Sequence, residues 1–160
     1  MIPSVLFQSC SLVAAGAMSI AYETESIQVF PLHFIRRRRM SVGSVQPLSS
    51  TPPGVRLCAL TDLSEPGARN FVLEIGARYF HGFVVRHKDG VSGFVDRCPH
   101  MGLPLAQVLD DYLAPDGRVA CSWHGAIFEP ADGLCVGGPC TGASLTPWPV
   151  AVVDGMVVTL

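Results

Sequence analysis

A chain of 160 residues and 17.1 kDa fits one compact domain and is too short for two full cores. Apolar residues make up 49% and charged residues 15%, which excludes a charged, disordered solvating segment and leaves enough apolar material for a real core. Eleven Lys and Arg against 13 Asp and Glu, a net charge of -2, remove the electrostatic basis for following a nucleic-acid backbone.

Residues 1–40 differ in composition from the remainder: an apolar patch from Leu12 to Ala21, then Glu23 and Glu25, then Arg36, Arg37, Arg38 and Arg39. A signal peptide places its positive charge ahead of the apolar stretch, and here the order is reversed. Twin-arginine export would need an apolar segment after the arginines, where Met40 to Pro53 is polar. The patch is also short of the roughly 20 residues that span a bilayer. These features predict a soluble, cytoplasmic protein without a membrane partner. Residues 1–52 are expected to be a disordered or non-native extension, with Met40 an alternative start, and residues 53–160 the folded domain. The competing reading of the extension is a basic tail that docks on an acidic partner or membrane surface. Without Arg36–Arg39, Glu23 and Glu25, seven basic and eleven acidic residues remain.

From Val55 onward, short β-rich runs alternate with turn signals. Strands are predicted over Val55–Leu60, Phe71–Ile75, Tyr79–His87, Val91–Asp96, Arg118–Ser122, Ala126–Glu129, Ala151–Asp154 and Met156–Leu160. Lys88-Asp89-Gly90 and Asp154-Gly155 are hairpin signals, because glycine accepts the positive φ of tight turns. Pro104 to Asp111 is the one helical suspect, a turn or two at most. Asp110-Asp111-Tyr112 with Pro115-Asp116-Gly117 predicts a surface loop with an acidic tip. Many closely spaced short strands define an all-β sandwich or small barrel.

Six cysteines are compatible with disulfides in a secreted chain or with metal ligands in a cytosolic one. Cys10 lies in the N-terminal segment and Cys58 alone in a strand run, whereas Cys98, Cys121, Cys135 and Cys140 cluster late in the chain. Cys98-Pro-His100-Met-Gly and Cys121-Ser-Trp-His124-Gly form two matched loops separated by 20 residues. Each starts at a strand end and runs into glycine, which lets the backbone curl round a bound group. Three readings compete. Ordinary buried cysteines and satisfied histidines suit a lone Cys or His, but four such ligands in two matched spacings make a poor coincidence. Structural zinc accepts two thiolates and two imidazoles, yet its knuckles usually pair Cys with Cys or His with His. The third reading rests on a resemblance to a known family.

The pattern Cys-x-His, a strand-bearing interval, then Cys-x-x-His resembles the signature of Rieske iron-sulfur proteins over roughly Val55 to Leu160. The resemblance implies a Rieske-like sandwich of short antiparallel strands with two cluster-binding loops. It implies a 2Fe-2S cluster with Cys98 and Cys121 on one iron and His100 and His124 on the outer iron. Neutral imidazoles in place of two thiolates reduce the negative charge of such a site and raise its potential. Met101, Leu103, Pro104, Trp123 and Gly137-Gly138-Pro139 match shielding positions in kind, the last resembling the family's proline loop. For Trp123 plain core packing is an equal reading.

Within that family, oxygenases add a mononuclear iron held by two His and a carboxylate. Only His33, His81 and His87 are left over here, and the last two read as strand-surface residues at even spacing. Respiratory members carry a disulfide between the ligand loops; those positions here hold Leu103 and Trp123. The resemblance therefore implies a soluble one-electron carrier, passing electrons from a flavin reductase to a terminal oxygenase, with no substrate-transforming site of its own. The alternatives are a small Rieske subunit of a nitrite reductase-like enzyme and a non-redox, metal-stabilised interaction module. Cys58 is expected to be a buried thiol. Cys135 and Cys140 flank Gly137-Gly138-Pro139 and could pair, but a reducing compartment and so short a loop favour free thiols.

Overall fold

The computed structural model describes Gln28–Val29 and residues 48–160. Ten strands follow in chain order: β1 (Gln28–Val29), β2 (Arg56–Ala59), β3 (Gly67–Ile75), β4 (Arg78–His87), β5 (Gly90–Val95), β6 (Val119–Ala120), β7 (Ile127–Phe128), β8 (Cys135–Gly137), β9 (Val150–Val153) and β10 (Met156–Thr159). They form a four-stranded sheet in the order β1-β3-β4-β5 and two three-stranded sheets, β2-β10-β9 and β6-β7-β8. Every pairing is antiparallel, as expected of an all-β sandwich. Among the described residues no helix is long and apolar enough to cross a membrane.

Strand β4 lies at the centre because its sequence is apolar on both faces. Phe80 and Val84 pack with Leu57, Cys58, Leu73, Trp148 and Val157. Phe83 and Val85 point the other way, into a second core with Phe94, Leu105, Tyr112, Val119, Phe128 and Leu145. This period-two division places the β2-β10-β9 sheet against one face of the large sheet and the β6-β7-β8 sheet against the other. Cys58 is buried, as expected, and burial pushes its thiol up, above the opposing pull of Arg69.

Both hairpins form where predicted. His87 pairs with Gly90 across Lys88-Asp89, and Val153 pairs with Met156 across Asp154 and Gly155, both at positive φ. Three expectations change. Residues 104–111 make bends and a turn rather than a helix, because Leu105 N–H and Gln107 N–H are engaged from outside by Asp96 and Ser122. The strand Cys135–Gly137 was not anticipated in so glycine-rich a stretch. Tyr112 is no loop-tip residue: it is 1% exposed and stacks on Phe83 with centroids 4.3 Å apart and ring planes 6° apart.

The expected extension over residues 1–52 falls mostly outside the described residues. Within it, β1 pairs with β3 at Leu73 and Glu74. Residues 48–52 are held to the domain: Leu48 packs on the Trp148 core, Thr51 Oγ1 accepts from the Trp148 indole N–H at 2.8 Å, and the Pro52 carbonyl accepts from Thr159 Oγ1 at 2.6 Å.

Candidate metal centre

Two loops carry the four motif residues. The first leaves β5 and passes Cys98 and His100; the second runs from Cys121, at the end of β6, to Ala126, ahead of β7. Each is a turn closed on its own cysteine. Gly102 N–H donates to the Cys98 carbonyl at 2.7 Å and Cys98 N–H to the Leu103 carbonyl at 2.8 Å; Gly125 N–H donates to the Cys121 carbonyl at 3.0 Å and Cys121 N–H to the Ala126 carbonyl at 2.8 Å. Gly102 and Gly125 sit at φ of 70° and 69°, in the left-handed region that penalises a Cβ. That conformation explains why both ligand runs reach a glycine.

Folding brings the two halves together. Cys98 and Cys121 are 2% and 3% exposed and belong to one core. His100 and His124 are exposed, and their rings meet edge to face with centroids 5.0 Å apart. The thiols thus form a buried floor and the imidazoles a solvent-facing rim. Burial pushes the Cys121 thiol up and the neighbouring Cys98 sulfur adds to the rise, while the backbone N–H groups of Trp123 and His124 donate to its sulfur and pull the other way. Those two donors would stabilise a thiolate bound to iron.

The donor set fits a Rieske cluster: two soft sulfurs inside, two imidazoles outside, two protein ligands for each iron. Among the described residues, no group of three or more His, Cys, Asp and Glu is placed to hold a single metal ion. Of the remaining histidines, His81 is exposed on β4, His87 Nε2 lies 3.0 Å from Ser92 Oγ, and His33 is outside the described residues.

Residues that sequence reasoning missed organise the loops. Asp96 Oδ1 accepts from Leu105 N–H at 2.8 Å and its Oδ2 from the Tyr112 hydroxyl at 2.9 Å. Tyr112 in turn accepts from Asn70 Nδ2 at 2.8 Å. Burial pushes the Asp96 carboxyl up despite these donors, and burial followed by the Asp96 charge pushes the Tyr112 phenol up as well. Ser122 then ties the second loop to the first, its N–H and Oγ both donating to the Leu105 carbonyl at 2.9 and 3.0 Å. Trp123 is 45% exposed, so the core-packing reading for it is corrected; the buried tryptophan is Trp148. Met101 and Leu103 beside it are also exposed.

Beyond β8, Gly138 takes a φ of 89°, and a Cβ there would lie 2.7 Å from the Gly125 carbonyl oxygen and 2.8 Å from Ala126 Cα. The Gly137-Gly138-Pro139 segment therefore stacks directly on the second ligand loop. Cys135 and Cys140 are free thiols at its ends, with sulfurs 3.2 Å apart.

The chain belongs to the Rieske family: residues 55–153 match the family model described as the Rieske [2Fe-2S] domain. A Rieske-type [2Fe-2S] cluster is accordingly its cofactor. Among solved structures, the chain is similar to one in the complex of reduced oxygenase and oxidized ferredoxin of carbazole 1,9a-dioxygenase, with 28% identity and a TM-score of 0.51 over 66% of this chain and 100% of that one. The ferredoxin of carbazole 1,9a-dioxygenase from Nocardioides aromaticivorans IC177 is 22% identical with a TM-score of 0.53, covering 68% and 97%. The terminal oxygenase of the same system is 23% identical with a TM-score of 0.53, but only 29% of its chain is covered. These last two likenesses establish the fold alone. A search of curated proteins returned no match.

Proposed function

We propose that Cys98, His100, Cys121 and His124 hold the cluster and that the protein is a one-electron carrier, passing electrons from a flavin reductase to a terminal oxygenase. One observation carries this reading: two buried thiols are backed by two adjacent exposed imidazoles. The bound cluster supplies a single reversible electron. The chain's own residues do the remainder. Cys98 and Cys121 anchor the inner side away from water, the Trp123 and His124 amides offset thiolate charge, and His100 and His124 bring the outer side to the surface where a partner can dock. Exposed Met101, Leu103 and Trp123 supply apolar contact area round that exit. The partner assignment is supported by the 28% identical chain from an oxygenase–ferredoxin complex. A cytoplasmic, soluble carrier suits such an exchange.

Absorption and electron paramagnetic resonance spectra with iron and sulfide analysis test the assignment. The expected result is a Rieske spectrum in the unaltered protein, lost in Cys98→Ser and in Cys121→Ser. A colourless protein with stoichiometric zinc, or cluster content retained in both variants, would overturn it. Reduction by a flavin reductase, followed by oxidation on adding a terminal oxygenase, tests the carrier role.

A further inference from the structure

Cys135 and Cys140 serve no purpose in the ligand set, yet the fold places them together. The Cys135 N–H donates to the Ala143 carbonyl, and the Gly142 N–H donates back to the Cys135 carbonyl, at 2.8 and 2.9 Å. This pairing folds the intervening loop back on itself and holds the sulfurs 3.2 Å apart. Cys135 is 1% exposed, whereas Cys140 is half-buried at the loop end. The pair thus has one sulfur that an oxidant can meet and one sheltered beside it.

We propose that Cys135 and Cys140 form a reversible dithiol–disulfide couple, a redox modification site that takes a small-molecule disulfide such as glutathione disulfide as its oxidant. The Cys140 sulfur attacks one sulfur of the oxidant, whose S–S bond breaks. The first glutathione leaves with the proton that Cys140 gives up, and Cys140 holds the second as a mixed disulfide. The Cys135 sulfur then attacks the Cys140 sulfur, and the second glutathione leaves with the Cys135 proton. Two protein thiols are oxidised and one glutathione disulfide is reduced to two thiols. Closing the bond needs the sulfurs to approach from contact to a covalent distance of about 2.05 Å, a small movement at a loop built on glycine.

The couple reports to the cluster site through a shared core. Cys140 packs against the buried cluster of side chains that contains Cys98 and Cys121. Disulfide formation changes the groups packed against those sulfurs, so the cluster potential shifts on oxidation. This consequence rests on the ligand assignment proposed above; the couple itself does not.

The test uses the cluster-loaded full chain, equilibrated anaerobically in glutathione buffers from fully reducing to fully oxidising. Each sample is held until its thiol count stops changing. Alkylation and peptide mass spectrometry are expected to show a Cys135–Cys140 link that appears with oxidation, disappears with reduction and leaves the iron content intact. In Cys135→Ser the reaction should stop at a glutathione adduct on Cys140. Both thiols alkylated in every buffer, a persistent glutathione adduct in the unaltered chain, or a link to Cys98 or Cys121 would overturn the couple. Voltammetry of the closed and open forms should give different potentials, and equal potentials would overturn the link to the cluster site. Failure of the ligand assignment shows separately, as missing cluster in the untreated protein.

Discussion

The indole N–H of Trp123 donates to the carbonyl of Pro104 at 2.8 Å, which fastens the second ligand loop to the first at the two positions' own surface. By the resemblance, Trp123 and Leu103, the latter adjoining Pro104, stand where respiratory Rieske proteins join their loops by a disulfide. Here hydrogen bonds do that work. Ser122 adds two donations to the Leu105 carbonyl, and the Gln107 backbone and side-chain N–H groups donate to Ser122 Oγ and O at 3.0 and 3.2 Å.

Loosening this clasp should release the cluster faster without abolishing its assembly. Ser122→Ala removes the hydroxyl contacts to Leu105 and Gln107, and Trp123→Phe removes the contact to Pro104, each worth about 1 kcal/mol in a solvent-accessible setting. Bleaching of the visible spectrum under a chelator should run several-fold faster in each variant and faster again in the double variant. Unchanged bleaching in the double variant would show that the loops are held by other means.

Asp96 braces the first ligand loop from below. Its carboxylate accepts from the buried Leu105 N–H and from Tyr112, so Asp96→Ala leaves two buried donors unpaired at a cost of about 1–3 kcal/mol for each. Tyr112→Phe removes one member of the same network and still fills the space against Phe83, for a cost of about 1 kcal/mol. Urea unfolding should show a large fall in midpoint for Asp96→Ala and a small one for Tyr112→Phe, with the slope unchanged in both.

The N-terminal boundary is open to a truncation series. Removing residues 1–47 takes away the two-residue pairing of β1 with β3 and leaves Leu48 and Thr51 in place. Removing residues 1–53 also deletes Leu48 from the core, the hydroxyl that accepts the Trp148 indole N–H and the Pro52 carbonyl that accepts from Thr159 Oγ1. The longer deletion should lose about 3–6 kcal/mol more, from one apolar side chain and two donors left unpaired. Equal stability of the two truncations would mean that residues 48–53 only lie on the domain.

What could be read in advance was local. The ligand residues fall in two spans of a few residues each, and the hairpins rest on Lys88-Asp89-Gly90 and Asp154-Gly155, so neighbouring residues carry those signals. The braces were hidden because their partners are far apart in sequence: Asp96 with Tyr112, Leu105 with Ser122, Trp148 with Thr51. Two tryptophans of identical intrinsic preference took opposite fates, Trp148 at 1% exposure and Trp123 at 45%, since β4 offers Phe80 as a packing partner to one and the loop offers only a carbonyl to the other. The strand at Cys135–Gly137 escaped notice because its pairing with β7, not β propensity, keeps that segment extended.

The reduction potential is expected at the low end of the Rieske range, which runs from about -150 to +300 mV. High-potential members donate hydrogen bonds to the cluster from a Ser and a Tyr just after the second ligand pair, stabilising the added negative charge of the reduced state. The resemblance puts Ala126 and Phe128 at those positions, and both are fully buried in the core that contains Cys98 and Cys121. Neither has a hydroxyl, and the Ala126 backbone is occupied in receiving the Cys121 N–H. A low potential suits a carrier filled by a nicotinamide-dependent flavin reductase, whereas oxidation of a quinol would require the high end. Ala126→Ser and Phe128→Tyr should each raise the value measured by voltammetry, and together raise it further, because each adds a donor where none exists. A wild-type potential near the top of the range would defeat the oxygenase-carrier reading; no rise in either variant would mean that these side chains do not face the cluster.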